Sequence, residues 1–158
     1  MLLDTLQGQE GLCLAEYTHR ELIVPCLEHR DLPGILGELA RALHKQGCLS
    51  DPLPFYHAAL NRECLLDSSG LRGVAFPHAR STDVRSLKFA LGRAQPAVAW
   101  NTAPQPIHLV FLIAVPATQT TPYMQLLAAL ARLSRNREWM NQLCNDRSSN
   151  DMFYHLYG

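Results

Sequence analysis

The run Gly73-Val74-Ala75-Phe76-Pro77-His78-Ala79-Arg80 sets an apolar segment, a proline, a histidine and an arginine side by side. Pro77 holds its φ near about −65° and carries no N–H, so ladder pairing is expected to end there. Phe76, the residue before it, is pushed to an extended conformation. His78 is thereby expected on a stiff backbone at the lip of a sheet, where a partner can reach its imidazole. Arg80, two residues on, is spaced to neutralise an anion on that ring. A rigid histidine with a guanidinium nearby suits a nucleophile that accepts a phosphoryl group. On residue chemistry alone, a surface histidine after a proline turn competes with that reading.

The elements around this run follow from periodicity and punctuation. Leu22–Leu27 is a short β-rich run, a first strand or edge. Leu32, Ile35, Leu36, Leu39, Ala40 and Leu43 recur at helical spacing and predict a helix over Leu32–Gln46. Asp31 is its N-cap candidate and Gly47 sits just past its end. Asp51-Pro52 repeats the start signal for a second helix to about Leu65, with Arg62 in its last turn. Gly73–Phe76, Leu87–Leu91, Ala97–Trp100 and Ile107–Val115 read as strands separated by Pro, Gly, Asn and Gln. The last is apolar at both parities except at His108, which predicts a central strand covered on both faces. Thr121-Pro122 opens a further helix striped by Tyr123, Leu126, Leu127 and Leu130. Shorter helical pieces are expected near Arg137–Cys144 and Asn150–Tyr157. Helices before and after a block of strands, without strict alternation, predict an α/β fold, one domain over residues 1–158 with a mixed sheet flanked by helices on both faces. Gly8 to Tyr17 is left open between a loose arm and an added edge strand.

Composition narrows the function classes. The 158 residues are enough for a real core, and 47% hydrophobic with 18% charged residues is ordinary for a soluble globular chain. Fourteen Lys and Arg balance fourteen Asp and Glu, so no basic field points to nucleic acid or an anionic membrane surface. The seven histidines include no pair at helical metal-ligand spacing. Cys13, Cys26, Cys48, Cys64 and Cys144 are scattered without a C-x-x-C, which argues against structural zinc and for reduced, buried thiols in a cytosol. The amino terminus lacks the basic and apolar regions of a signal peptide. The apolar run Leu109–Val115 is far short of the ~20 residues that span a bilayer.

The Val74-Ala75-Phe76-Pro77-His78-Ala79 block resembles the active-site motif of phosphotransferase-system enzyme IIA domains of the fructose, mannitol and nitrogen-regulatory class. In that class an apolar run ends in Ala-apolar-Pro-His before a small residue. The likeness takes in Arg62-Glu63, the turn Ser68-Ser69-Gly70 and the run Gln105–Pro116, and covers roughly Leu22 to Leu143. The resemblance implies that His78 accepts a phosphoryl group from an HPr-type phosphocarrier protein. The group then passes to a IIB component, or its presence signals to a regulated target. It implies a cytoplasmic protein with no cofactor, no metal, no nucleic-acid partner and no direct membrane insertion.

The same resemblance assigns roles residue by residue. Arg62, sixteen residues before His78, matches the arginine that precedes the active histidine; its plain alternative is a solvated charge at a helix end. Arg80 stands where these domains often carry a basic residue. Ser68 and Ser69 are expected to line the site with N–H groups or hydroxyls. Sugar-transporting members carry a second histidine in the helix after the Pro-ended strand, and here Tyr123 takes that place. A tyrosine donates a hydrogen bond but does not become cationic near neutral pH, so Tyr123 either donates to the phosphoryl group or packs. His108 and His57 are the candidate substitutes, each with a plain reading, core histidine and surface histidine respectively. In the turn Gly70-Leu71-Arg72-Gly73, where these domains often have Gly-Ile-Gly, Arg72 adds bulk and charge beside the active loop.

The lean of these features is toward regulation rather than sugar transport. Two competitors are kept open. One is a IIA-like module that carries no phosphate and acts by protein contact. The other is a metal-dependent hydrolase built from scattered His, Cys and Asp residues, for which no ligand-spaced cluster speaks.

Overall fold

The computed structural model describes residues 12–69, 72–101, 103–118 and 121–157. Its centre is a five-stranded mixed sheet: β1 (Ile23–Val24), β2 (Val74–Ala75), β3 (His78–Ser81), β4 (Lys88–Val98) and β5 (Ile107–Pro116). The order is β1-β4-β5-β2, with β3 also on β5. β1 runs parallel to β4, β4 antiparallel to β5, and β2 and β3 parallel to β5.

Five helices cover the sheet: α1 (Leu32–Lys45), α2 (Pro52–Leu65), α3 (Thr121–Leu133), α4 (Arg137–Asn145) and α5 (Ser149–His155). Local chemistry sets where several of them begin. Asp31 accepts from the Gly34 N–H at 2.8 Å, Asp51 from Leu53 at 3.1 Å, Asn136 from Trp139 at 3.1 Å and Ser148 from Asp151 at 3.1 Å. Each side chain satisfies an N–H that has no partner inside its helix.

β5 separates two cores by alternation. Val110, Leu112 and Ala114 face one core with α1 and α2, while Leu109, Phe111, Ile113 and Val115 face the other with α3, α4 and α5. Phe89 and Phe111, both fully buried, each contribute roughly 1.5–3 kcal/mol through apolar burial. The α/β class, the mixed sheet and its helix cover on both faces are as expected from the sequence.

Four expectations need correction. Leu87–Leu91 and Ala97–Trp100 are not two strands. β4 runs through, and its register on β5 shifts between Arg93 and Val98 while Gln95, Pro96 and Ala97 turn to solvent. The proline is accommodated by stepping out of the ladder rather than by ending the strand. The first strand is two residues long, because a 3₁₀ turn at Arg20–Leu22 takes the start of the expected run. The break at Pro77 is also shorter than expected: β2 stops at Ala75, but the Pro77 carbonyl accepts from the Ile113 N–H at 2.9 Å and β3 resumes along β5 in the same register from His78. Pro77 lacks a donor, not an acceptor. Finally, of the five cysteines only Cys48 is buried, Cys26 and Cys64 are exposed, and all five are free thiols.

At the amino-terminal side, Leu14–Tyr17 forms a 3₁₀ turn, neither arm nor strand, with Leu14 and Ala15 in the second core. The Gly8–Gly11 part of that question lies outside the described residues, as do Gly70 and Leu71. Arg93, buried in β4, donates to the carbonyls of Pro25 (3.0 Å), Leu143 (3.1 Å) and Cys144 (3.1 Å). It ties the sheet to the carboxyl end of α4, where the helix dipole favours a cation.

Candidate functional site

β3 starts at His78, and α2 and α3 bring their own side chains to it. Arg62 of α2, Arg80 of β3, Tyr123 of α3 and His78 line one cavity of about 140 Å³, floored by Ala79 and Val115. The His78 and Tyr123 rings lie with centroids 5.2 Å apart, tilted by 42°. Neither Arg62 nor Arg80 has a carboxylate partner among the described residues.

The two ring nitrogens of His78 have different fates. Nδ1 lies 3.0 Å from the Phe76 carbonyl oxygen, which can only accept, so Nδ1 carries the proton. Nε2 is buried and has no hydrogen-bond partner among the described residues. The neutral ring therefore keeps its free lone pair on Nε2. Burial pushes the His78 pKa below the usual histidine value; the Phe76 carbonyl opposes this and the Arg62 charge adds to it. Tyr123 is moved the other way: burial raises its pKa, with Arg62 and Arg80 pulling it back. Both shifts favour the uncharged ring near neutral pH, an imidazole at His78 and a phenol at Tyr123.

Ser68 and Ser69 are not brought to the cavity. Ser68 sits behind the strand, where its Oγ donates to Glu63 Oε2 at 2.8 Å and accepts from the Phe76 N–H at 2.9 Å. Ser69 uses its N–H on Asp67 Oδ1 at 2.7 Å. Neither lines this cavity, where the sequence reading expected both: Ser68 turns inward to the buried Glu63 carboxylate, and Ser69 bonds locally to Asp67. His108 is five positions before Ile113, the register partner of His78, so about 16 Å separates the two along β5. It packs on Gly73, where a Cβ would come within 2.5 Å of its Nδ1 and where φ is +75°. His57 lies exposed on α2 beside Tyr56, with ring centroids 5.3 Å apart. Neither histidine lines the cavity. Arg72 is exposed in the preceding turn.

Glu63 had no role assigned from sequence. It is 1% exposed, and its Oε2 takes hydrogen bonds from Trp100 Nε1 (2.9 Å), Ser68 N (3.0 Å) and Ser68 Oγ (2.8 Å). Burial raises its pKa, the Trp100 and Ser68 donors lower it, and nearby Asp67 raises it. A signal was available: Phe55, Ala59 and Glu63 are the buried residues of α2, spaced i, i+4, i+8, so the acid occupies the core stripe.

Among the described residues no group of three or more His, Cys, Asp or Glu side chains is placed to hold a metal ion. No helix among them is long and apolar enough to cross a membrane.

The family model described as "Phosphoenolpyruvate-dependent sugar phosphotransferase system, EIIA 2" matches residues 16–157. The chain belongs to this family. It is 30% identical over 123 residues to a fructose-specific EIIABC component of Bacillus subtilis, covering 77% of the chain and 19% of that protein. The chain thus spans about a fifth of the length of that curated relative. Among solved structures it is similar to the nitrogen regulatory protein IIA-Ntr of Neisseria meningitidis, with a TM-score of 0.79, 26% identity, and 90% of this chain and 97% of that one covered. The mannitol IIA enzyme of Escherichia coli, solved in complex with its phosphorylated IIB enzyme, shares the fold with a TM-score of 0.72 at 18% identity, covering 86% and 94%.

Proposed function

We propose that this EIIA 2 family member is a phosphocarrier whose acceptor atom is His78 Nε2. The single observation that carries the reading is a His78 Nε2 with no hydrogen-bond partner among the described residues, on a cavity lined by two arginines that have no carboxylate partner among them either. In the reaction the Nε2 lone pair forms the new N–P bond while the bond from phosphorus to the donor's histidine nitrogen breaks. The donor imidazole leaves with that electron pair, and the proton of His78 stays on Nδ1, donated to the Phe76 carbonyl. Arg62 and Arg80 offset the charge on the phosphoryl oxygens, and the Tyr123 hydroxyl supplies one uncharged donor.

The donor is an HPr-type phosphohistidine protein, and the recipient is a IIB component or a target that responds to the phosphorylated state. Cavity size supports a protein-borne group: about 140 Å³ is well below the roughly 300–1,000 Å³ of small-molecule pockets. Leu65, Leu66 and Met124 are strongly exposed and close in sequence to Arg62 and Tyr123, which offers apolar surface to a protein partner. A cytoplasmic setting follows from that exchange with carrier proteins.

The test supplies phosphoenolpyruvate, enzyme I and an HPr-type carrier. The protein should gain one acid-labile, base-stable phosphoryl group, and a folded His78→Ala variant should gain none. Equal labelling of His78→Ala would overturn the assignment. One observation favours a second reading: Nε2 is buried as well as unbonded. A ring that is never uncovered leaves a module acting by contact alone, and absence of labelling in the wild type would decide for it.

A further inference from the structure

Three hydrogen bonds lead from a buried carboxylate to the reacting ring. Glu63 Oε2, a pure acceptor when ionised, takes the Ser68 hydroxyl proton at 2.8 Å. A hydroxyl has one proton, so toward the Phe76 N–H, at 2.9 Å, Ser68 Oγ is the acceptor. The Phe76 peptide is thereby held from its nitrogen side, and its carbonyl takes the His78 Nδ1 proton at 3.0 Å. The carboxylate is itself clamped: Trp100 Nε1 donates to the same Oε2 at 2.9 Å, and Asn101 Nδ2 donates to the Glu63 carbonyl at 2.9 Å. Asn101 does so from φ +46°, a left-handed conformation that a non-glycine residue adopts at a cost.

A carboxylate in a core costs free energy that an apolar side chain of similar volume would not. What Glu63 supplies and an apolar residue cannot is an anchor: it takes the Ser68 hydroxyl bond, leaves Ser68 Oγ to hold the Phe76 N–H, and so fixes the peptide whose carbonyl faces His78 Nδ1. We propose that Glu63, through Ser68 and the Phe76 peptide, is the positioning residue that selects the His78 tautomer and so directs phosphorylation to Nε2. The proposal rests on the phosphoacceptor reading for its second half only; the tautomer is a property of the unphosphorylated protein.

The experiment therefore has two independent arms. In the first, ¹⁵N-edited NMR of the ring is recorded at about pH 8, above the ~6.5 reference value, where the imidazole is neutral. The wild type should show Nδ1–H. Ser68→Ala should lower the Nδ1–H to Nε2–H ratio by about three- to tenfold, the equilibrium weight of one net hydrogen bond. Ser68→Thr, which keeps the hydroxyl, should restore it. Trp100→Phe keeps an aromatic ring in the core and removes one clamp on Oε2, so a smaller shift in the same direction is expected. It reads the same ratio if Ser68→Ala does not fold. In the second arm, phosphorylated samples are compared by ³¹P and ¹⁵N NMR. The wild type should carry phosphorus on Nε2, and Ser68→Ala should show a fraction on Nδ1. A folded Ser68→Ala or Trp100→Phe protein with the wild-type tautomer ratio overturns the proposal. Failure of the wild type to label at all, with the tautomer shifts present, overturns the phosphoacceptor reading and leaves the positioning intact.

Discussion

His78 and His108 stand on adjacent strands, one beginning β3 and the other near the start of the central strand β5. Both are half-buried, and burial depresses the pKa of both. Everything else about them differs. His78 has a carbonyl on one nitrogen, no hydrogen-bond partner among the described residues on the other, and two arginines and a tyrosine around it. His108 has desolvation alone as the cause of its shift, and its ring is pressed on Gly73. The comparison teaches that a perturbed histidine pKa is not a mark of function. The mark is a free lone pair held toward charges that would stabilise what is attached to it.

The contrast breaks most sharply if the two histidines can exchange roles. His78→Gln is expected to abolish phosphoryl uptake, whereas His108→Gln should keep it within about twofold while altering only stability. Uptake lost in a folded His108→Gln protein would dissolve the distinction. The His108 end is sharpened by Gly73→Ala, which places a Cβ within 2.5 Å of His108 at a φ of +75°. A loss on the order of 2–3 kcal/mol is expected from strain and contact. Chemical denaturation would read it, with uptake by the folded fraction retained.

The charges come next. Arg62→Ala and Arg80→Ala should each slow uptake by roughly tenfold, because a charge-assisted contact contributes on the order of 1.5–3 kcal/mol. Unchanged transfer rates would reduce both to surface charges. The pH dependence follows in size. The folded His78 pKa lies below the unfolded ~6.5, so the unfolded chain takes up the proton first. The stability this contributes is present above about pH 6.5 and is lost as pH falls toward the folded value. His78→Gln should flatten that part of the stability profile, and wild-type uptake should decline only below about pH 6.5. The smallest effect is at Tyr123. Removing its hydroxyl in Tyr123→Phe should shorten the lifetime of the phosphorylated form by a factor worth ~0.5–1.5 kcal/mol. Tyr123→His should add a titration between about pH 5.5 and 7.5 that the wild type lacks. Two variants matching the wild type would leave Tyr123 as packing.

Much of the frame was legible before any coordinates. Asp31, Asp51 and the apolar stripe of α1 act within a few residues, so helix starts can be read locally. The two-sided apolarity of Ile107–Val115 announced a central strand, and β5 is one. Arg62, His78, Arg80 and Tyr123 were named from sequence, and they line one cavity. The misreadings at Pro77 and Pro96 share a cause. A proline removes a donor, but whether a strand stops depends on what the neighbouring strand offers, and that neighbour is remote in sequence.

The sequence alone determined the types of groups and their local backbone: a nucleophilic ring, two fixed cations, and a proline that stiffens the approach. Tertiary structure alone decided which nitrogen is bare. That choice passes through Glu63 and Trp100, 37 residues apart, and through a serine loop that turns inward rather than toward the cavity. Hydrogen-bond direction inside a core is set by which donors and acceptors meet there, and those meetings depend on the packing of α2 against the sheet, not on the spacing of residues along the chain.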